Sequence, residues 1–250
     1  MLSLHDALTP RDSVFDLLRT DTVWNLSDLD VIDGKSFFDE NFVTEAMKTL
    51  LPEAFKRLEQ RGDSGAGVFH LSQAMGGGKT HSLVALGLLA KHQVLRTSVL
   101  RECGYEPGPL GKVRVVAFSG GAETTPNGLW GFIADKLGVK ERFADCYMPL
   151  RNPTEQEWKS ALEGEPTLIL LDEMPLYFAA CKAIEVGKTS LDVLTALALR
   201  TLVQAINSNK LPNVCLVVTD LAGTAWKSGG AALESLADAE KETAKVAITL

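Results

Sequence analysis

The sequence is poor in cysteine, and the cysteines that it has are far apart. Cys103, Cys146, Cys181 and Cys215 form no CxxC pair. Disulfide frameworks and structural zinc sites both depend on closely patterned cysteines, so neither is predicted. The composition favours a reducing compartment, and we expect the protein in the cytoplasm.

The sequence also lacks the segments that direct a chain to a membrane. The first residues, MLSLHDALTPRDS, contain no basic stretch followed by an apolar run. The longest apolar stretch, near residues 83–90, is far shorter than the ~20 residues that a membrane-spanning helix needs. We therefore expect a soluble, unprocessed protein with no membrane partner.

Positive charge is scarce as well. Lysine and arginine together number 25 against 32 acidic residues, which gives a formal net charge of −7. Nucleic-acid backbones are held mainly by clustered lysine and arginine, so a broad nucleic-acid footprint is not expected. A local basic patch is still compatible with this balance, and we expect contact with DNA only indirectly or through regions beyond this chain.

What the sequence does contain is a series of short apolar runs that alternate with helical patterns. None of these runs alternates apolar with polar residues, as a strand with one solvated face would. Strands that are apolar on both faces belong to a parallel sheet covered by helices on both sides, so we predict an open α/β sandwich. The predicted strands are residues 68–72, 113–118, 167–171 and 214–218, and the predicted helices are residues 79–91, 129–137, 154–162 and 191–206.

The N-terminal region carries a weaker pattern. Residues 1–35 mix Asp, Pro, Ser and Gly with isolated apolar residues, which predicts a loosely structured lead-in. Apolar residues then recur at helical spacing over residues 42–58, so a packing helix is predicted there. We treat residues 1–62 as a lead-in with a helix that precedes the main domain.

The main domain is expected to cover residues 63–250. Its last part predicts a helix over residues 231–245, followed by the apolar run of residues 246–250, which resembles the start of a fifth strand. We therefore expect this chain to be part of a longer protein.

The stretch QAMGGGKTHS, residues 73–82, lies between the first predicted strand and its helix. This is the context in which a P-loop binds phosphate, because glycines let successive N–H groups point inward and the helix adds its positive end. Lys79 would place a cation against the outer phosphates, and Thr80 would offer a hydroxyl ligand to Mg²⁺. The residues predicted to bind the nucleotide are Ala74, Met75, Gly76, Gly77, Gly78, Lys79, Thr80 and His81.

The P-loop pattern G-x-x-x-x-G-K-[ST] departs from this sequence at one position. The pattern asks for glycine where the chain has Gln73. Gly76 and Gly77 supply backbone freedom slightly later in the loop. A bulkier residue at the entrance of the loop is expected to alter how the nucleotide fits.

The stretch LILLDE, residues 168–173, brings two adjacent carboxylates to the end of a buried strand. Burying a charge there costs desolvation free energy, so its presence suggests a functional role. Asp172 would hold the hydrated Mg²⁺, as the corresponding acid does in P-loop enzymes. Glu173 would orient and activate a water for attack on the γ-phosphate, which makes it the predicted general base.

A third polar pair follows the last predicted strand. Thr219 and Asp220 come after the apolar run of residues 214–218, where a polar side chain could sense the γ-phosphate or fix the attacking water, or simply cap a turn. We prefer Thr219 as the catalytic residue, since it follows the apolar run directly. His81 is expected to be a first-turn helix residue and not a catalytic base, and Arg200 to be a solvated helix residue.

Several stretches together resemble a known family. They are VFHLSQAMGGGKTHSLVALGLLA, LWGFIADKLG, EPTLILLDEMPLYF and NVCLVVTD, and the likeness runs over residues 37–219. They resemble the prokaryotic ATP-binding proteins of the domain of unknown function 499 family, which are similar to the AAA+ and STAND branches of P-loop NTPases. The resemblance implies an ASCE or AAA+-like P-loop NTPase fold, and it supplies the choice of ATP as the nucleotide.

The resemblance also carries expectations about the site and its setting. In these relatives a sensor strand lies between the P-loop strand and the strand of the acidic pair, which would bring Thr219 near Glu173 and Lys79. An arginine finger and a helical lid would be expected beyond Leu250. Genes of this family often lie beside those of DNA methyltransferases and helicases in anti-phage or restriction loci, so such partners, and a homo-oligomer, are implied.

These observations leave more than one function open. The first is an ATPase that hydrolyses ATP to drive a conformational switch in bacterial defence, favoured by Glu173. The second is a nucleotide-binding scaffold that does not hydrolyse ATP, favoured by Gln73 and by the missing lid. The third is a small-molecule phosphotransferase, for which the sequence offers no convincing basic acceptor loop.

Overall fold

A computed structural model describes residues 24–60, 66–73, 78–208, 210–221 and 247–248 of the chain. Its helices are α1 Gly34–Glu40, α2 Glu45–Leu58, α3 Lys79–Lys91, α4 Gln93–Glu102, α5 Gly128–Leu137, α6 Glu155–Leu162, α7 Met174–Cys181 and α8 Leu191–Asn207. Its strands are β1 Val68–Gln73, β2 Arg114–Ser119, β3 Thr167–Asp172, β4 Glu185–Val186, β5 Thr189–Ser190, β6 Val214–Leu221 and β7 Ala247–Ile248. Short 3-10 segments occupy Leu26–Asp28 and Lys140–Cys146.

The main sheet has the strand order β2-β3-β6-β1-β7, and every neighbouring pair in it is parallel. β6 lies between β1 and β3, as the family resemblance implies. The two-residue β7 lies beside β1, within the apolar run that predicts a fifth strand. β4 and β5 form a separate antiparallel hairpin.

Helices cover both faces of this sheet, as the apolar runs predict. The strand β3 shows why, because all six of its residues are buried. Leu168 and Leu170 pack in one cluster with α1 to α4, whereas Ile169 and Leu171 pack in the other with α5 to α8. Each fully buried leucine or isoleucine contributes about 1.5–3 kcal/mol to the hydrophobic free energy of folding. The prediction of an open α/β fold with two helical layers is confirmed.

Residues 24–40 are more ordered than the predicted lead-in indicates, and residues 1–23 of that lead-in lie outside the described residues. Within the predicted lead-in, a 3-10 segment is followed by α1, whose first turn is capped by Asp33 through a 2.8 Å hydrogen bond from the Ser36 N–H. Phe37 of α1 is fully buried. A helix of seven residues is too short for a clear periodic pattern, and its cap residue is also a common turn residue.

The helix α2 begins later than the predicted residue 42. Thr44 is its N-cap, and the Thr44 hydroxyl accepts a 3.3 Å hydrogen bond from the Met47 N–H. The helices α4 and α7 and the β4–β5 hairpin had no counterpart in the prediction. The predicted helix over residues 231–245 and most of the loop over residues 60–67 lie outside the described residues.

The side chain of Arg57 joins α2 to the sheet from within the core. It is buried, and it donates hydrogen bonds to the carbonyl oxygens of Ile206 (3.0 Å), Leu211 (2.8 Å) and Val214 (3.3 Å). Gly67 lies so close that an added Cβ would be 3.0 Å from the guanidinium and 2.4 Å from Ile206. One buried cation therefore holds the end of α8 and the start of β6 against α2.

Within the part of the chain that the structure describes, no helix has both the length and the apolar character that crossing a membrane requires. The four cysteines are unpaired thiols, and three of them are buried.

Candidate functional site

The candidate site lies at the carboxyl end of the parallel sheet. β3 ends at Asp172, β6 carries Thr219 opposite Leu71 of β1, and β1 leads towards Gly78 at the start of α3. Ligands of open α/β sheets bind in the crevice beyond the carboxyl ends of the strands. The sheet order thus brings three distant parts of the chain to one place.

The carboxylate of Asp172 is the centre of a hydrogen-bond network. The Thr80 hydroxyl donates to Asp172 Oδ2 at 2.6 Å, and the Thr219 hydroxyl and the Glu173 N–H both donate to Asp172 Oδ1, the latter at 2.9 Å. The Asp172 side chain is almost fully buried. A buried carboxylate is costly unless hydrogen bonds compensate it, and here three donors do so.

The start of α3 provides the second part of the site. Gly78 has φ 75° and ψ 16°, a left-handed conformation that glycine adopts readily, and its carbonyl accepts the 2.9 Å hydrogen bond from Ser82 that opens the helix. Lys79 and Thr80 follow as the first two residues of α3, and both are half-buried. The first turn of a helix has unpaired N–H groups and the positive end of the dipole, so it attracts anions. Ala74, Met75, Gly76 and Gly77 lie outside the described residues.

Glu173 is held by its backbone and by the neighbouring strand. It has φ 52° and ψ 34°, which is uncommon for a residue with a Cβ, and it stands at the N-cap of α7. Its N–H also lies 3.3 Å from the Thr219 hydroxyl. The Ser119 hydroxyl donates to Glu173 Oε2 at 2.9 Å. The exposed carboxylate of Glu173 is thus directed over the end of β2, next to the buried Asp172.

Comparison with known proteins gives a family match over part of the chain. Residues 21–102 match the DUF499 N-terminal domain. No curated protein matches the chain. The match supports the family resemblance for about a third of the chain, from before α1 to the end of α4, and it includes the glycine-rich residues 73–82. Asp172, Glu173 and Thr219 lie beyond the DUF499 match.

Within the DUF499-matching region, His81 packs against the N-terminal helix. Its ring is stacked on that of Phe37 in α1, with the ring centroids 4.6 Å apart and the planes at 28°. Burial lowers the pKa of His81, so the neutral ring is favoured. The imidazole is therefore engaged with α1, and its place in the predicted nucleotide site depends on its backbone N–H alone.

Arg200 has the place that the sequence predicts, and the tryptophans that the structure describes pack against other side chains. Arg200 is exposed on α8. Trp130 and Trp158 are buried in the core, and the Trp158 indole donates to the Ala198 carbonyl at 3.1 Å. Trp24 contacts Phe37 edge-on. Trp226 lies outside the described residues.

The sequence did not point to the residues at the end of β2, and directly after it, that surround Glu173. A Cβ added to Gly120 would lie 2.4 Å from the Glu173 carbonyl oxygen, and one added to Gly121 would lie 2.8 Å from Glu173 Oε2. Together with Ser119 these glycines form a close-fitting wall beside the carboxylate. A signal was present, because the polar sequence SGG directly follows the apolar run of residues 113–118, as Thr219 follows the run of residues 214–218.

Thr80 and Asp172 offer a hydroxyl and a carboxylate at one point, and oxygen ligands of this kind suit Mg²⁺. Among the described residues, no group of three or more His, Cys, Asp or Glu side chains is placed to hold a metal ion. A Mg²⁺ site in a nucleotide-binding protein needs only one or two protein ligands, because phosphates and waters supply the others. The residues present therefore fit Mg²⁺ bound together with a polyphosphate.

Proposed function

We propose that this chain binds ATP with Mg²⁺ beyond the carboxyl ends of β1, β3 and β6 and hydrolyses it to drive a conformational switch. One observation carries the proposal, namely the 2.6 Å hydrogen bond between the hydroxyl of Thr80 and the carboxylate of Asp172. These residues are distant in sequence, and each is the metal-binding position of its motif in P-loop NTPases.

The strand order supports the finer assignment to an ASCE or AAA+-like P-loop NTPase. The strand with Thr219 lies between the strand before the P-loop and the strand that ends in the acidic pair. The family resemblance implies this order for its sensor strand. The likeness covers the fold and the motifs, and the function is argued from the site itself.

In this proposal Thr80 and Asp172 would hold Mg²⁺, which when bound supplies positive charge next to the phosphates. Lys79 and the N–H groups of the first turn of α3 would bind the outer phosphates. Thr219 would keep Asp172 oriented through the hydrogen bond that its hydroxyl donates to Oδ1. The chain would thus concentrate positive potential where the transferred phosphoryl group gains charge.

Glu173 would act as the general base. Ser119 binds Oε2, so Oε1 would accept the proton of the attacking water. The water oxygen would form a bond to the γ-phosphorus as the bond from that phosphorus to the β–γ bridging oxygen breaks, which gives ADP and phosphate. The position of Glu173 at the head of α7 offers a route by which turnover would move that helix.

The proposal is tested by calorimetric titration with Mg-ATP and by phosphate release, on this chain and on a longer version of the protein. Lys79→Ala is expected to abolish ATP binding, whereas Glu173→Gln keeps binding and slows turnover by about 10²–10⁴-fold. Lys188→Ala, at an exposed lysine in the β4–β5 hairpin, is the control. Equal ATP affinity in the wild type and the Lys79 variant would remove the proposal.

A second candidate is a nucleotide-binding scaffold without turnover. It is favoured by Gln73 at the first position of the P-loop pattern and by the hydrogen bond that already occupies one oxygen of Glu173. ATP binding with no phosphate release, in both the chain and the longer protein, would select it. For either candidate, the resemblance leads us to propose a setting in bacterial defence, with methyltransferase or helicase partners.

A further inference from the structure

A groove of about 720 Å³ lies at the other end of the sheet, where β2 begins. Its walls come from the last residues of α3 and α5, the first turn of α4, the start of β2 with the segment before it, and Glu165 before β3. The strands are parallel, so β2 and β3 separate this groove from the candidate ATP site by about 17 Å of strand length. The groove is therefore independent of the function proposed above.

The groove carries an excess of positive charge in a chain whose net charge is −7. Two carboxylates, Asp30 and Glu165, face five cationic side chains. The carboxyl ends of α3 and α5 add about half a negative charge each, and the amino end of α4 adds about half a positive charge, which leaves a balance of about 2.5 positive charges. The cationic residues are Lys91, Arg96, Lys112, Arg114 and Lys136.

The two arginines of the groove are held in place mainly by neutral oxygen atoms. Arg96 is 3% exposed and donates to the Leu110 carbonyl at 2.8 Å. Arg114 donates to the Thr167 hydroxyl at 3.0 Å and to the Leu162 carbonyl at 2.8 Å, and among the described residues only a 3.7 Å ion pair with the exposed Glu165 offsets its charge. Carbonyl and hydroxyl acceptors satisfy the N–H groups without cancelling the charge. These arginines thus give the groove a fixed positive potential.

The lysines stand at the rim of the groove. Lys112 and Lys136 are both exposed, and the Lys136 ammonium lies 5.4 Å from the centre of the Phe132 ring. Lys112 makes no ion pair with any residue that the structure describes. Lys91 is paired with Asp30. Long lysine side chains at a rim are suited to contact negative charges on a ligand that lies along the groove.

We propose that this groove binds the phosphodiester backbone of a nucleic-acid strand. The helices α3 and α5 present their carboxyl ends here, and α4 begins here at Gln93, so the N–H groups of its first turn would bind one phosphate only. Cations spread along an open groove suit a chain of phosphates instead. The ligand would be recognised by charge, without reading its base sequence.

The test uses fluorescence anisotropy of a fluorescein-labelled single-stranded oligonucleotide of twenty nucleotides with the full chain over a range of salt concentrations. Lys112→Glu combined with Lys136→Glu is expected to weaken binding at least about tenfold and to reduce the slope of log K against log salt by about 1.4. The matched control is Lys182→Glu combined with Lys188→Glu, which changes the net charge equally at two exposed lysines elsewhere. It should change affinity by less than about threefold.

The remaining outcomes each decide the matter. No binding of the oligonucleotide by the wild type, or equal losses in the groove and control variants, would overturn the proposal. Displacement of the oligonucleotide by stoichiometric pyrophosphate would also overturn it, in favour of a small phosphate site. Thermal melts followed by circular dichroism check that the variants fold. Lys79→Ala should keep oligonucleotide binding, so the two proposed sites fail separately.

Discussion

The two ends of the parallel sheet solve the problem of charge in opposite ways. At the carboxyl end, a buried carboxylate is surrounded by hydroxyl and amide donors, and the helix α3 begins there. At the amino end, α3 and α5 finish, and buried guanidinium groups are bound mainly by neutral oxygens. One end is arranged around a fixed negative charge, and the other around fixed positive charges. The dipole of α3 is favourable at both ends, because its positive end lies near the carboxylate and its negative end lies near the guanidinium groups.

The largest expected effect comes from removing the charge at the carboxyl end. Asp172→Asn keeps the size of the side chain and an oxygen acceptor but loses the negative charge. We expect ATP hydrolysis to fall by about a hundredfold or more and the apparent affinity for Mg²⁺ to decrease. The measurement is phosphate release during a Mg²⁺ titration. Asp145→Asn, at an exposed aspartate, is the control, and equal rates in the two variants would contradict the role of Asp172.

The next effect concerns a buried cation near the amino end. Arg57→Met removes the guanidinium donor from the carbonyl oxygens of Ile206, Leu211 and Val214. We expect the free energy of unfolding to fall by about 3 kcal/mol, because three buried hydrogen bonds from a charged group are lost. Thermal denaturation measures the change. Arg101→Met, which removes an exposed ion pair with Glu106, should leave the melting temperature nearly unchanged.

A smaller effect is expected where β2 meets the carboxyl end. Ser119→Ala removes the hydrogen bond to Glu173 Oε2 and leaves Asp172 and Thr80 intact. Turnover should fall by about tenfold while ATP affinity stays the same, since one hydrogen bond to a charged group is lost. Ser119→Thr should restore part of the rate. A parallel loss of ATP affinity would show that Ser119 acts on the whole fold instead.

The smallest expected effect is a change in stability at Glu157 in α6, which belongs to neither end of the sheet. Hydrogen bonds from Arg151, and then from Thr154, lower the pKa of Glu157 to about 2 from a normal value of 4.5. Because the folded-state pKa is depressed, this stabilisation is present above pH 4.5 and is lost as the pH falls towards 2. Glu157→Gln should therefore cost about 1 kcal/mol at pH 7, and the gap should close near pH 2.

The measurement for Glu157 is the melting temperature of the wild type and the variant between pH 2 and pH 7. Glu163→Gln, six residues later at an exposed position just after α6, serves as the control and should show no such pH dependence. A gap that stays constant down to pH 2 would exclude the ionised pair as its cause.

The sequence was sufficient to place the strands of the main sheet and the helix that follows the glycine-rich stretch. Residues 79–91 form α3 within the predicted bounds, and β3 contains the predicted strand plus Asp172. Continuous apolar runs bounded by glycine or acidic residues predict such elements clearly. Short helices such as α1 were missed, because their caps are the same residues that make turns.

The partners within the site were harder to predict than its members. Asp172 and Glu173 are marked by an acidic pair after an apolar run, but Ser119 is not marked in this way. Its contact with Glu173 depends on the register in which Ser119 lies opposite Asp172. Arg57 likewise meets acceptors more than a hundred residues away. Such pairings follow from tertiary packing, which one sequence read locally does not contain.

The central place of β6 in the sheet has a consequence for how the protein matures. β6 pairs with both β1 and β3, and its Leu216 lies opposite Val68 of β1. The two halves of the site are therefore linked by a strand that is synthesised late. Contacts between such distant residues form slowly, after local helices. A nascent chain that has made only residues 73–82 would lack Asp172, so under the proposed function we expect ATP to bind only after β3 and β6 have joined the sheet.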